Sequence, residues 1–176
     1  MHSEEQTTTF HSRAGHSIRV RPLQHDDAPF LVDIFENMTA ESRYKRFHQS
    51  LNHVSTNRIW TEANNIAQAD PERSWGLVAF AASSDRQNMP VGAVRLVRTE
   101  PYEAEVGISV RDDFQNMGIG TQLMHMLVER ARKMGIRRLV ASIQNSNPVI
   151  WHVFKSLPYP ITRLPDGAFS DIVISL

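Results

Sequence analysis

The chain has 176 residues, 41% of them hydrophobic and 22% charged, which suits one globular domain with a proper core. Nineteen Lys and Arg balance nineteen Asp and Glu, so nucleic-acid binding through bulk charge is not expected. With no cysteine, disulfides, thiolate nucleophiles and cysteine metal sites are excluded, and a reducing cytoplasm is the expected compartment.

The polar start, MHSEEQTTTFHSRAGHS, lacks the apolar core of a signal peptide, and no apolar stretch is long enough to span a bilayer. Residues 1–16 read as a flexible polar tail. Its histidines, His2, His11 and His16, fit no tight ligand spacing. Order is expected from Ser17, where Ser17–Arg21 alternates as a strand and Pro22 closes it. From Asp26 to Glu36 the apolar residues Phe30, Leu31, Ile34 and Phe35 recur at helical spacing. Further helical stretches follow at Ala40–Phe47 and Thr56–Asn65. Strands are predicted at Trp75–Ala82 and Val91–Arg98, joined by the polar connector Ser83–Asn88, and again at Glu103–Arg111.

The next helix is the clearest element. Ile119, Leu123, Met126, Leu127 and Met134 share one face, and Gly135 supplies a stop. A strand at Arg138–Ile143, a short helix at Pro148–Ser156 and two strands around Ile161–Leu164 and Ser170–Leu176 complete the chain. The condensed order is β-α-α-β-β-β-α-β-α-β-β. It describes one α/β (α+β) domain over residues 17–176, with a mixed, mostly antiparallel sheet of about six to seven strands flanked by helices.

Between the strand ending near Arg111 and the long helix lies Gln115-Asn116-Met117-Gly118-Ile119-Gly120. A glycine-bearing turn that opens a helix gathers free backbone N–H groups at the positive end of the helix dipole, which suits a phosphate or pyrophosphate. A dinucleotide-binding turn would need a third glycine where Leu123 stands, and an early place in a βαβ series. A P-loop would need a lysine that is missing here. Both fail.

The passage VGISVRDDFQNMGIGTQLMHMLVERARKMGIRRLVASIQNSN resembles the acetyl-CoA-binding core of the GNAT N-acetyltransferase superfamily. Gln115, Gly118 and Gly120 match its Gln/Arg-x-x-Gly-x-Gly/Ala signature, and the likeness runs from about Ile18 to Leu176. The resemblance implies acetyl-CoA as co-substrate. It assigns the CoA pyrophosphate to the amides of Asn116, Met117, Gly118, Ile119, Gly120 and Thr121. It assigns the pantetheine arm to the backbone of Ile108, Ser109 and Val110, and a turn at Asn147 belongs to the same pattern.

Acetyl transfer needs a neutral amine, whereas a lysine ammonium has a pKa near 10.4, so a base must stand near the thioester. Alternation over Glu103–Val110 puts Ala104, Val106, Ile108 and Val110 on one face. Glu103, Glu105, Gly107 and Ser109 fall on the other. Periodicity alone leaves the two glutamates as solvated carboxylates. Protein-acetylating members of the superfamily carry a base glutamate on this strand, and that resemblance selects Glu105, with Glu103 in reserve. Many relatives also place a proton-donating tyrosine where Phe154 stands here, and Phe cannot donate. Tyr159, five residues on, is expected to pack in the core. Without cysteine, direct attack in a ternary complex is the expected route.

Ile18-Arg19-Val20-Arg21-Pro22-Leu23, Asp26-Asp27 and Ala40–Phe47 (AESRYKRF) resemble the bacterial protein lysine acetyltransferase (Pat-like) branch. That resemblance implies a protein lysine as acceptor, with a small amine as the alternative class. A non-catalytic acyl-CoA-binding domain is the third. The early helices would wall the acceptor site, where Arg43 and Arg46 would orient an acidic surface or a substrate carboxylate. No metal, nucleic acid or membrane partner is expected, and the chain is expected as monomer or homodimer.

Overall fold

The computed structural model describes residues 7–47, 54–83, 85 and 88–176; expectations for residues 1–6, for His48 and His53 and for part of the 83–88 connector lie outside them, as does the Phe47 side chain. The N-terminal half holds β1 (Thr8–His11), β2 (Ser17–Pro22), α1 (Ala28–Glu36), α2 (Ala40–Phe47), α3 (Thr56–Ala67), β3 (Ser74–Ala81) and β4 (Met89–Glu100). The C-terminal half holds β5 (Glu103–Val110), a 3-10 turn at Asp112–Phe114, α4 (Ile119–Lys133), β6 (Arg138–Gln144), α5 (Pro148–Lys155), β7 (Ile161–Asp166) and β8 (Phe169–Ser175). All eight strands join one sheet in the order β1-β2-β3-β4-β5-β6-β8-β7. Every neighbouring pair is antiparallel except β5 and β6.

Two expectations need correction. Residues 8–11, read as part of a tail, form β1, which pairs with β2 from Thr8↔Val20 to His11↔Ser17. Their sequence, TTFH, has β-branched and aromatic residues, and Phe10 packs against the main core. Among the described residues the strand count is therefore eight. Three helices rather than the condensed order's two separate β2 from β3.

β3 shows how the layers form. Gly76–Ala81 is buried at every position, as expected of a strand covered on both faces. Leu77, Ala79 and Ala81 join the core under α4, while Val78 and Phe80 meet Ile34 and Met38 of the α1 side. On α4 the fully buried positions are Ile119, Leu123, Met124, Leu127, Val128 and Ala131. The buried stripe is thus turned toward Met124 and Val128, leaving Met126 and Met134 at its half-buried margin. Periodicity gave the amphipathic helix; docking on the twisted sheet chose which edge of the apolar stripe went deepest. Gly135 and Ile136 donate to the Arg132 and Ala131 carbonyls at 3.0 Å each, a Schellman closure of α4.

A buried ion pair fixes where α1 starts. The Asp27 carboxylate accepts both Arg21 guanidinium nitrogens at 2.6 and 2.8 Å and the Gln24 amide at 2.7 Å. The Arg21 guanidinium in turn lies 5.1 Å from the Phe80 ring centroid. Asp27 is only 2% exposed, so its removal leaves a half-buried cation without its partner. Asp27→Ala is expected to lower unfolding free energy by about 3 kcal/mol, read as a fall in the urea midpoint without a change in m.

Candidate active site

β5 and β6 pair only at Glu103↔Arg138, Ala104↔Leu139 and Glu105↔Val140. Beyond Glu105 the strands part. β5 stays on β4 as far as Gly92↔Val110, and β6 stays on β8 as far as Gln144↔Phe169. Among the described residues the β6-facing edge of residues 106–110 therefore has no strand partner, and main-chain groups on it are open to bond a ligand. A cavity of about 390 Å³ occupies the parting, lined by Val106–Val110 of β5, Ala141–Ile143 of β6 and the Gln115–Thr121 turn.

The glycine turn closes one end of this cavity. Gly118 is the N-cap of α4 with φ 84° and ψ 0°, and Asn116 is also left-handed at φ 60°. Two such residues close together turn successive amides toward a common concave side, the geometry of an anion nest. No side chain caps α4, and Gln122 is the first helical amide to bond back, to the Gly118 carbonyl at 3.1 Å. The Gln115 side-chain amide donates to the Val110 carbonyl at 3.1 Å and to Asp112 Oδ1 at 3.1 Å. Gln115 thereby ties the end of β5 to the turn. Asn147 caps α5 by accepting from the Ile150 amide at 3.3 Å, and it lines the same cavity from the far side.

Each of Ile108, Ser109, Val110, Gln115, Asn116, Gly118, Ile119, Gly120, Thr121 and Asn147 lines this cavity. Met117 instead packs its side chain against the core, and its carbonyl accepts the Arg13 amide at 2.9 Å. Glu105 does not line this cavity. It is exposed, one residue short of Val106, at the last paired position before the strands separate. Glu103 pairs with Arg138 at 2.9 Å and bonds Thr99, two contacts that occupy it away from the parting. Phe154 is 1% exposed and lines the cavity, while Tyr159 is half-buried against the core with Arg132 at 5.9 Å from its ring. Among the described residues no three His, Asp or Glu side chains gather as a metal set.

Arg13 is the group that sequence reasoning missed. The β1–β2 turn sets it over Gly118, where a built Cβ would lie 3.6 Å from its Nε, and it lines the cavity. His16 of the same turn packs its ring 5.2 Å from that of Phe114. Only the pairing of β1 with β2 brings residue 13 to residue 118, and no short-range pattern carries that information.

A family model described as an acetyltransferase (GNAT) domain matches residues 17–157. The chain belongs to the GNAT acetyltransferase family. It is an N-acetyltransferase that uses acetyl-CoA. The chain is 30% identical over 118 residues to an L-methionine sulfoximine/L-methionine sulfone acetyltransferase of Pseudomonas paraeruginosa, a match covering 61% of this chain and 68% of that one. In structure it resembles the GNAT domain of S. lividans PAT, with a TM-score of 0.84, 25% identity and full coverage of both chains. The fold is also that of the acetyltransferase yncA from Salmonella typhimurium, solved with its cofactor acetyl-CoA, at TM-score 0.64, 19% identity and coverage of 90% and 92%.

For this acetyltransferase two changes separate the turn from its surroundings. Gly118→Ala meets the left-handed penalty of about 1–2 kcal/mol and is expected to weaken acetyl-CoA binding measured by calorimetry. Arg13→Ala is expected to raise the Kd for acetyl-CoA about ten-fold, the worth of one charge-assisted bond to phosphate. The same variant should bind S-acetylpantetheine, which lacks the pyrophosphate, as wild type does.

Proposed function

We propose that this acetyltransferase moves the acetyl group to a primary amine by direct attack in a ternary complex, with Glu105 as general base. The observation that carries the reading is the place of Glu105 at the mouth of the parting, on the side of β5 that faces away from α4. Cross-strand register supports that placement. Gly107 stands opposite Arg95, so Glu105 is its diagonal neighbour on the same face. The Glu105 charge helps keep Arg46 and Arg95 protonated against the cost of their burial.

In this reading the thioester enters along residues 106–110 and its phosphates lie at the turn. Glu105 takes one proton from the incoming ammonium, directly or through a water, and the neutral nitrogen attacks the thioester carbonyl. Collapse of the tetrahedral adduct breaks the C–S bond and releases CoA thiolate, the product nitrogen gives up its second proton to water, and the thiolate takes a proton from solvent. Phe154 offers no proton, and the modest pKa of a thiol lets the thiolate leave without one. The cysteine-free sequence excludes an acyl-cysteine intermediate. The cytoplasm, where acetyl-CoA and amines meet, is the compartment we assign to it.

A protein lysine is the first acceptor reading. It is supported by the AESRYKRF helix and by the full-length likeness to the S. lividans PAT domain. A small amine is the second, supported by the Pseudomonas relative and by a second cavity beside the parting. Polycationic amines fit neither the charge of that cavity nor its apolar walls.

Glu105→Gln is expected to lower kcat by roughly 100-fold or more, while acetyl-CoA affinity stays at the wild-type value. CoA thiol release, followed from pH 6 to 10 with lysine peptides and small amines, checks it. Turnover equal to wild type across that range would remove Glu105 from the base role.

A further inference from the structure

The second cavity, of about 470 Å³, lies under α1 and α3 on the face of β4 and β5 that carries Ala93, Arg95, Gly107 and Ser109. Its walls are mostly apolar, with Leu31, Ile34 and Phe35 from α1 and Ile59 and Ile66 from α3. Among the described residues that line it, three are arginines (Arg46, Arg58, Arg95) and one is a carboxylate, Glu62. Counting Glu105 close by, cations still outnumber anions.

Arg46 is the hinge between the two cavities. It lines both, and its guanidinium lies so close over Gly107 that a built Cβ would sit 2.1 Å from Nη2. Any other residue at 107 would push that group off the sheet. Arg95 is the cross-strand partner of Gly107, and both arginines line this cavity. Burial first, then the Arg95 charge, lower the Arg46 pKa to about 10, which still leaves Arg46 cationic at neutral pH. Burial lowers that of Arg95 as well, against the pull of Glu105 and then Glu62. Placing two like charges together in an apolar-walled cavity is costly, and a bound anion between them offsets that cost. Arginine's planar fork is the side chain best matched to a carboxylate.

We propose that the second cavity is the acceptor pocket and that Arg46 and Arg95 hold a carboxylate carried beside the reacting amine. The amine then points past Gly107 toward the parting, and the apolar remainder of the acceptor packs on Leu31, Ile34 and Ile59. The proposal rests on the reading that a primary amine accepts the acetyl group, and it deepens that reading by naming the group recognised beside it. A carboxylate can come from a free amino acid or from an acidic residue next to a lysine.

Two matched pairs of acceptors distinguish the sources: L-methionine sulfone against its α-carboxamide, and a lysine peptide with Glu beside the lysine against the same peptide with Gln. CoA release is expected to show a kcat/KM at least about ten-fold higher for the carboxylate member of one pair, the usual worth of a charge-assisted bond to a bound group. Arg95→Gln should bring that ratio near one while leaving the Kd for acetyl-CoA unchanged, which also certifies that the variant is folded. Arg46→Lys, which keeps the charge and loses the fork, should reduce the ratio. Thermal stabilisation of the CoA-bound protein by L-methionine sulfone or the Glu peptide, and not by the neutral members, gives a second readout independent of turnover. No carboxylate preference in either pair by either readout, or a preference that survives Arg95→Gln, overturns the proposal. A wild-type rate for Glu105→Gln with the preference intact overturns the base and spares the pocket.

Discussion

Three register pairs between β5 and β6 set up everything the site needs. Ala104 and Leu139 sit at the centre of that short parallel contact, both fully buried, and they pin the two strands together at one end. Past Glu105 and Val140 each strand follows a different antiparallel neighbour, β4 on one side and β8 on the other. A sheet twisted by its strands cannot keep both loyalties over its whole width once a helix start and a capped turn are wedged between them. The parting strips one edge of β5 of its strand partner, and a ligand with amide groups can supply the missing bonds. It also leaves α4 aimed N-terminus first at the open end, where dipole and free amides act together on an anion.

The α1–α2 connection is fastened to the same place. Arg111, nearly buried, bonds Asp113 at 3.0 and 3.1 Å and reaches Asp33 and Asn37 of the α1 end at 3.3 Å each. The Asp112 carboxylate accepts the Thr39 amide at 3.0 Å, and the Asp112 amide donates to the Asn37 carbonyl. These bonds link the start of α2, and hence Arg46, to the residues that immediately precede the glycine turn. The glycine turn and the wall of the second cavity are thus parts of one hydrogen-bonded unit. Small residues on β4 and β5 complete it, since Ala93, Gly107 and Ser109 leave the floor of the second cavity low enough for a ligand.

Much of this was legible because its cause is local. The 3.6-residue period of α4 and the alternation of β5 follow from side-chain geometry and need no tertiary partner. The strand at Glu103 and the helices at Ala40 and Pro148 begin where expected, since proline, small and acidic residues mark those starts. The Gln115–Gly120 turn carries its left-handed glycine in the sequence itself. Residues 8–16 misled because a polar, histidine-bearing segment has no local apolar pattern; what orders it is edge pairing with Ser17–Val20 and a single aromatic anchor, Phe10.

The sequence by itself determined the elements from Ser17 onward, the glycine turn and the family, because periodicity, glycine placement and spaced motifs act over a few residues. The tertiary structure alone decided that Arg13 stands over Gly118, that Glu105 is the last paired residue before the strands part, and that Arg46 lies over Gly107, the cross-strand partner of Arg95. Those meetings join residues far apart in the chain through sheet register and the docking of α2. Charge at such a distance is a property of the fold, and the run of letters does not state it.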